Sequence, residues 1–325
     1  GDVLLRVKDV KTHIRGRDGA RVVKAVDGIS FEVRQGETLG IIGESGSGKS
    51  MTALSIMRVL PSAARVVGGE ILFNGENLLT KSEGEMRRLR GERISMILQD
   101  PMVSLDPLFT VGSQLAEPLR AHMGAGGAAL KTRMTELMSA VSIPSPELRL
   151  RQYPHQMSGG MLQRIVGAIA ISCDPQLLIA DEPTTALDPT VQAQFLDLLE
   201  SLRDAKHLSV IVVTHDFGVA ARLCDRVMVM YAGRIVEMGP IREIFDNPRH
   251  PYTKALLASI PDATERGARR LKTIEGQPPD LGALPPGCPF APRCESVVDR
   301  CRREYPPEFR IDSAHVASCW RVAAS

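Results

Sequence analysis

One stretch of eight residues constrains this chain more than any other, because it follows an apolar run at residues 38–42 and opens a helix-compatible segment at residues 51–59. It fits the pattern G-x-x-x-x-G-K-[ST] in the strand-loop-helix setting that the pattern requires. The glycines let successive backbone N–H groups point at one anion, and the positive end of the following helix adds to the attraction. The stretch consists of Gly43, Glu44, Ser45, Gly46, Ser47, Gly48, Lys49 and Ser50. We therefore expect it to bind a nucleoside triphosphate, with Lys49 on the β- and γ-phosphates and the Ser50 hydroxyl on Mg²⁺.

Length and charge narrow the classes to which the chain can belong. With 325 residues it exceeds one average domain, so a principal domain with an appendage is expected. Its 40 basic and 38 acidic residues are mixed along the chain, and the net charge of +2 argues against nucleic acid as a partner. No apolar run approaches the roughly 18 residues needed to span a bilayer, and no signal-like leader opens the sequence. The expectation is a soluble, cytosolic protein, for which docking on a membrane protein stays open.

Two adjacent carboxylates follow a second apolar run. Residues 176–180 indicate a buried strand, and Asp181 and Glu182 come directly after it. Ligands of open parallel sheets bind beyond the carboxyl ends of the strands, so Asp181 is expected beside the phosphate loop. There Asp181 can complete the Mg²⁺ shell, while Glu182 polarises a water in line with the γ-phosphate. The pair predicts hydrolysis in addition to binding.

A Ser-Gly-Gly turn between these motifs carries a family resemblance. Ser158, Gly159 and Gly160 stand at the start of a segment whose apolar residues recur at helical spacing, which makes a second helix N-terminus suited to an anion. One chain cannot easily bring this turn onto its own phosphate loop, so it is expected to complete the site of a partner. With these motifs in this order, the chain resembles the ATP-binding-cassette (ABC) ATPases over about residues 3–260.

The resemblance implies further roles, residue by residue. Gln99 would bind Mg²⁺ together with Ser50 and Asp181, and would sense a transmembrane partner. Ser158 and Gly160 would contact the γ-phosphate held by the opposite subunit. Asp188, in the sequence Ala-Leu-Asp, would communicate across the dimer, and His215 would join Glu182 at the γ-phosphate as a catalytic residue. The resemblance implies an aromatic ring within residues 17–26 that stacks on adenine, but these residues contain none. The nearest flat ring in the sequence is His13.

Two longer motifs point to a subfamily and complete the expected architecture. Residues 99–107 and 247–257 look like the dipeptide, oligopeptide and nickel permease ATPases. The fold class implied is α/β, a P-loop ABC nucleotide-binding domain with a RecA-like core. An antiparallel β subdomain is expected from residues 4–33 and 69–73, and a helical insert at about 101–172. We place the ATPase domain at 1–260 and a Pro- and Cys-rich C-terminal extension at 261–325.

The predicted function is ATP hydrolysis that drives peptide import. The resemblance implies two transmembrane permease subunits, a sister ABC ATPase or a second copy of this chain, and an extracytoplasmic solute-binding protein. The chain would then sit peripherally on the cytoplasmic face of the inner membrane. The same machine moving nickel chelates or opine-like solutes is the main alternative, since the sequence does not name the cargo. A soluble ABC ATPase acting on ribosomes or DNA is disfavoured, because the chain has one phosphate loop and no sustained heptads.

The tail holds four of the six cysteines, at gaps of five, six and seventeen residues. A reduced compartment disfavours disulfides. Structural zinc usually has closer C-x₂₋₄-C pairs, whereas an iron–sulfur cluster tolerates wider loops. From the residues alone, this is a soft-metal site. In the permease ATPases that the chain resembles, such a set holds a [4Fe–4S] cluster, so the resemblance implies a cluster on Cys288, Cys294, Cys301 and Cys319.

Overall fold

The computed structural model describes residues 2–16, 21–185, 187–260 and 274–322, without the side chains of residues 101 and 102. The strands are β1 (Val3–Arg15), β2 (Val22–Arg34), β3 (Thr38–Ile42), β4 (Ala64–Phe73), β5 (Glu76–Asn77), β6 (Ile94–Ile97), β7 (Leu177–Asp181), β8 (Ser209–Thr214), β9 (Arg226–Tyr231), β10 (Arg234–Pro240), β11 (Phe309–Arg310) and β12 (Val316–Ala317). The helices are α1 (Lys49–Met57), α2 (Glu83–Glu92), α3 (Pro101–Ser104), α4 (Val111–Met123), α5 (Gly127–Ala140), α6 (Pro146–Arg149), α7 (Gly159–Ala170), α8 (Pro189–Lys206), α9 (Phe217–Leu223), α10 (Ile241–Asp246), α11 (Pro251–Ala258) and α12 (Asp299–Arg303). These elements form two compact units. Among the described residues, the first unit contains those up to residue 4 and those within 33–38 and 78–213, and the second contains the others.

The first unit is built on the parallel strands β6, β7 and β8, with β7 paired to both neighbours. Every residue of β7 and β8 is buried. Near-continuous burial is expected of parallel strands that are covered on both faces, and it agrees with the apolar runs in the sequence. Five helices, α3 to α7, lie between β6 and β7, within the stretch predicted to be a helical insert.

The second unit contains two sheets. In the first, β3 runs parallel to β9, and β10 is antiparallel to β9. The other is a four-stranded sheet in the order β2-β1-β4-β5, in which Leu5 of β1 faces Phe73 of β4 in an antiparallel pair. This is the antiparallel subdomain predicted from the sequence.

The C-terminal tail extends the sheet of the second unit. Strand β12 pairs with β10, so that Ala317 lies opposite Glu237, and β11 pairs with β12. The sequence predicts only a Pro- and Cys-rich extension here, because strands of two residues leave no periodic signal. The predicted domain boundary at 260/261 borders residues 261–273, which lie outside the described residues.

None of the described helices is both long enough and apolar enough to span a bilayer.

Candidate functional site

The phosphate loop lies in the second unit, between β3 and α1. All five residues of β3 are buried, and α1 begins at Lys49. Gly48 caps α1 with a left-handed φ of 104°. A Cβ atom at this position would lie 2.4 Å from the carbonyl oxygen of Ala25, so only glycine fits the turn. The sequence therefore folds into the strand-loop-helix that phosphate binding requires.

Two side chains of this loop are arranged to receive an anion. Lys49 is 5% exposed, and its Nζ donates to the carbonyl oxygens of Gly43 at 2.8 Å and Glu44 at 3.0 Å. The buried hydroxyl of Ser47 has no hydrogen-bond partner among the described residues. A buried hydroxyl without a partner carries a desolvation cost, which a bound phosphate oxygen would remove. The loop therefore fits the triphosphate that the sequence predicts.

The second residue of the loop, Glu44, is held from two directions. Its backbone N–H donates to the Tyr252 hydroxyl at 2.8 Å. Its carboxylate accepts hydrogen bonds from both terminal nitrogens of Arg293. Nη1 donates to Oε2 at 2.7 Å, and Nη2 donates to Oε1 at 3.0 Å. Sequence reasoning missed both partners. Tyr252 stands in the permease-like motif at 247–257 and Arg293 precedes Cys294, but nothing in the pattern pairs either with Glu44.

In the first unit, the carboxylate pair lies at the carboxyl end of β7. Asp181 ends the strand and is 7% exposed. The next residue, Glu182, has a left-handed φ of 45° and donates its N–H to the Val213 carbonyl oxygen at 2.8 Å. A non-glycine residue in this region costs about 1–3 kcal/mol and is typically found at functional positions.

The carboxylate of Glu182 accepts hydrogen bonds from a second predicted site residue, Gln99, and from Thr185. Gln99 Nε2 donates to Glu182 Oε2 at 3.1 Å, and Thr185 Oγ1 donates to the same oxygen at 3.0 Å. The two donors converge on one carboxylate oxygen and so orient the Glu182 side chain. Thr185 was not among the residues singled out in the sequence.

The Ser-Gly-Gly turn caps α7. Ser158 is the N-cap, its hydroxyl accepts a hydrogen bond from the Met161 N–H, and Ser158 and Gly159 are exposed. A Cβ at Gly160 would lie 2.6 Å from Val191 Cγ1, so glycine permits the close packing of α7 on α8. The turn thus presents an exposed helix N-terminus, as a site that serves a partner's nucleotide requires.

Asp188 lies at the start of helix α8, and His215 lies directly after the end of strand β8. Asp188 is the N-cap of α8 and accepts hydrogen bonds from the N–H groups of Thr190 and Val191. Its neighbour Ala186 lies outside the described residues. His215 directly follows β8 and is exposed. Their roles at the dimer interface and the γ-phosphate stay predictions, and part of the region expected to contact adenine, residues 17–20, also lies outside the described part of the chain.

The four tail cysteines line one pocket in the second unit, together with side chains that include His250, Phe290 and Trp320. Among the described residues, the only three possible metal-ligand atoms within 4.8 Å of one another belong to Glu243, Asp312 and His315. No three of the cysteine sulfurs are therefore so close. A single tetrahedral zinc ion, with Zn–S bonds of about 2.3 Å, would hold its sulfurs about 3.8 Å apart.

Burial disfavours the charged thiolate form of three of these cysteines. It raises the pKa of Cys288 to about 11, and it also raises the pKa values of Cys294 and Cys319. These three thiols are therefore protonated near neutral pH unless a metal displaces the protons. Since metal ligation requires thiolates, the affinity of this site for metal rises with pH.

Comparison with known proteins defines the class first. The ABC transporter family model matches residues 26–185. A solved post-hydrolysis dimer of an ATP-binding cassette, bound to ADP and Pi, has a TM-score of 0.65 and 26% identity, and the match covers 73% of this chain and 99% of that one. The cassette cbiO1 from Clostridium perfringens, part of an ABC transporter complex, has the same score and identity over 76% of this chain and 92% of its own. Fold and phosphate loop thus define an ABC ATPase.

The tail narrows the family. The model for the C-terminal region of oligopeptide/dipeptide transporters matches residues 236–301. The dipeptide transport ATP-binding protein DppD of Bacillus subtilis is 51% identical, covering 95% of this chain and 92% of its own. The oligopeptide transport ATP-binding protein OppD of the same organism is 48% identical, covering 98% and 88%. The chain belongs to the oligopeptide/dipeptide family of ABC transporter ATP-binding proteins, which confirms the predicted family and fold class.

Proposed function

We propose that this chain is the ATP-hydrolysing subunit of a bacterial-type importer for di- or oligopeptides. The observation that carries the proposal is the junction of an ABC phosphate loop with a tail that matches the oligopeptide/dipeptide transporter family. Closure of two cassettes around ATP would drive the membrane subunits in one direction, and hydrolysis would reset them.

Four side chains are proposed to bind the phosphates and Mg²⁺. Lys49 would bind the β- and γ-phosphates, and the residues that would hold Mg²⁺ are Ser50, Asp181 and Gln99. When bound, Mg²⁺ neutralises charge on the phosphate oxygens. The fit is supported by the buried Ser47 hydroxyl of the loop, which has no hydrogen-bond partner among the described residues, and by the oxygen-only donor set, which suits a hard cation.

Glu182 is the group that activates water. With one carboxylate oxygen held by Gln99 and Thr185, the side chain has a fixed orientation, and the second oxygen can accept a proton from water. His215, exposed at the end of β8, would contact the γ-phosphate and report its presence. Catalysis therefore combines a positioned base with phosphate contacts that act on the transferred group.

The complete site requires a second cassette. The exposed N-terminus of α7 at Ser158, Gly159 and Gly160 would contact the γ-phosphate bound by the opposite subunit, and Asp188 would lie at the same interface. The second cassette would be a sister ABC ATPase or another copy of this chain. Two transmembrane permease subunits and an extracytoplasmic solute-binding protein would complete the importer, with this chain on the cytoplasmic face of the membrane.

The four tail cysteines would hold a [4Fe–4S] cluster. They line a single pocket, they offer only sulfur ligands, and their sulfurs are spread more widely than one zinc ion requires. Four irons at the corners of a cube separate their thiolates further than one central ion does. Anaerobically purified protein should be brown and contain about four irons and four sulfides per chain. Stoichiometric zinc without iron would contradict the cluster and support a structural zinc site.

Co-purification tests the transport proposal. The chain, tagged and expressed with its chromosomal neighbours, should purify from detergent-solubilised membranes with two polytopic proteins, and peptides should stimulate the ATPase of that complex. Recovery as a soluble protein on ribosomes or DNA would contradict the proposal. If nickel chelates or opine-like compounds stimulated the ATPase of the complex and peptides did not, the chain would still be the ATPase of an importer, but of one with a different substrate.

A further inference from the structure

The tail and the phosphate loop are joined by one ion pair. Arg293 and Glu44 form a two-bond pair in which the side chains are 4% and 27% exposed. Such bidentate, largely buried pairs are stronger and more specific in geometry than exposed ones. The pair therefore holds a residue of the nucleotide site to a segment 249 positions further along the chain.

Arg293 has little freedom to leave this position. Its Nε donates to the carbonyl oxygen of Glu275 at 3.0 Å, Nη2 to that of Ile274 at 3.3 Å, and Nη1 to the Tyr231 hydroxyl at 3.2 Å. The guanidinium thus makes hydrogen bonds through all three of its nitrogens, and its planar shape fixes the carboxylate of Glu44 in one orientation.

Arg293 is also tied to the cysteine pocket. A short 3-10 turn covers residues 291–293 and ends at Cys294, one of the four cysteines of the pocket. The Arg293 N–H donates to the Phe290 carbonyl oxygen at 2.9 Å, and Phe290 lines the same pocket. Ligation of a metal by Cys294 would fix the end of this turn, and loss of the metal would release it.

The charge of Glu44 gives the ion pair a consequence for ATP. The carboxylate belongs to a loop built to receive a triphosphate, where an uncompensated negative charge repels the ligand. Arg293 compensates that charge, and the Tyr252 hydroxyl holds the Glu44 backbone N–H. Removing the arginine therefore both loosens the loop and exposes the nucleotide to a free carboxylate.

We propose that Arg293 is a positioning residue for the phosphate loop and that, through Arg293, occupancy of the cysteine site sets the affinity for Mg-ATP. The first half rests on the Glu44 contact alone. The second half rests on the proposed metal site, whether iron–sulfur or zinc. Because the coupling between two binding sites is reciprocal, bound nucleotide would in turn raise the affinity of the tail cysteines for their metal.

Nucleotide affinity of the full chain, purified anaerobically, tests the first half. Binding of a fluorescent ATP analogue with Mg²⁺ should weaken about tenfold in Arg293→Gln, because only part of the loop population stays competent. Adding Glu44→Gln to Arg293→Gln should recover at least about threefold, since the repelling charge is then gone. In Arg293→Gln the loss should appear in the Kd for ATP more than in turnover at saturating ATP. Arg303→Gln, a substitution at an exposed position of the tail, should bind ATP as the parent does. Unchanged affinity in Arg293→Gln, or no recovery in the double variant, would overturn the positioning role.

A double-mutant cycle tests the second half. Cys294→Ser should weaken nucleotide binding in the parent but add less than about twofold in the Arg293→Gln background. Removal of the metal from parent protein by an anaerobic chelator should reproduce the effect without a substitution in the pocket. The coupling would be overturned if Cys294→Ser weakened nucleotide binding equally in both backgrounds. It would also be overturned if neither Cys294→Ser nor removal of the metal by the chelator weakened nucleotide binding. Iron, sulfide and zinc contents measured on the same samples separate this outcome from failure of the iron–sulfur assignment.

Discussion

Replacing Glu182 with glutamine removes one negative charge and leaves the side chain's shape. Both Gln99 and Thr185 donate to the same carboxylate oxygen, Oε2. The glutamine oxygen can occupy that place and keep both bonds, while its NH₂ group replaces Oε1, the oxygen proposed to accept the proton from water. The free energy of unfolding should therefore change by less than about 0.5 kcal/mol.

Turnover should respond far more strongly than stability. Loss of a general base lowers a rate by about 10²- to 10⁴-fold, which corresponds to about 3–5 kcal/mol in the barrier. Phosphate release by the assembled transporter measures turnover, and thermal unfolding and ATP binding are measured on the same preparation. Glu308→Gln makes the same chemical change at an exposed position of the tail and serves as the control. Turnover of Glu182→Gln within a few-fold of the parent would remove Glu182 from the role of base.

Three further substitutions test other parts of the site. Lys49→Ala should raise the Kd for ATP by about tenfold or more, because it removes a phosphate ligand and the two bonds from Nζ to the carbonyl oxygens of Gly43 and Glu44; isothermal titration measures it. Ser158→Arg should leave ATP binding by the monomer intact and abolish ATP-driven pairing in the Glu182→Gln background, seen by size-exclusion chromatography; equal loss of monomer affinity would place the turn on the chain's own nucleotide. Burial lowers the pKa of His250 from 6.5 to about 4, so stability should be full above pH 6.5 and fall by about 3 kcal/mol as the pH drops towards 4. His250→Asn keeps a cap for the Tyr252 N–H and should flatten that pH dependence in chemical denaturation, whereas an unchanged slope would contradict the assignment.

The parts of the fold predicted from the sequence are those with strong local signals. The apolar run at 38–42 became β3 with the same bounds, and the run at 176–180 became β7, displaced by one residue. The Ser-Gly-Gly turn begins α7, as the N-cap preference of Ser158 and the helical spacing beyond it predict. Each of these signals lies within about ten residues, so one sequence is enough to detect it.

The unpredicted parts depend on contacts between distant segments. The pair of Glu44 with Arg293 has no local pattern, and neither does the addition of β12 to β10. The four cysteines suggested a soft-metal site, but only folding brings them to one pocket that also contains Phe290 and Trp320. The left-handed φ of Glu182 could not be predicted from the sequence either. The proline that follows it disfavours a right-handed helical conformation but does not specify a left-handed one.

Transport itself tests the central claim most directly. The chain, its partner cassette and two membrane subunits, reconstituted in proteoliposomes with the solute-binding protein, should move labelled di- or oligopeptides in an ATP-dependent manner. Vesicles that contain Glu182→Gln should bind ATP and transport about 10²-fold more slowly or less. Peptide movement that is independent of ATP, or ATP hydrolysis that no peptide stimulates in the complete complex, would contradict the assignment of this chain as the ATPase of a peptide importer.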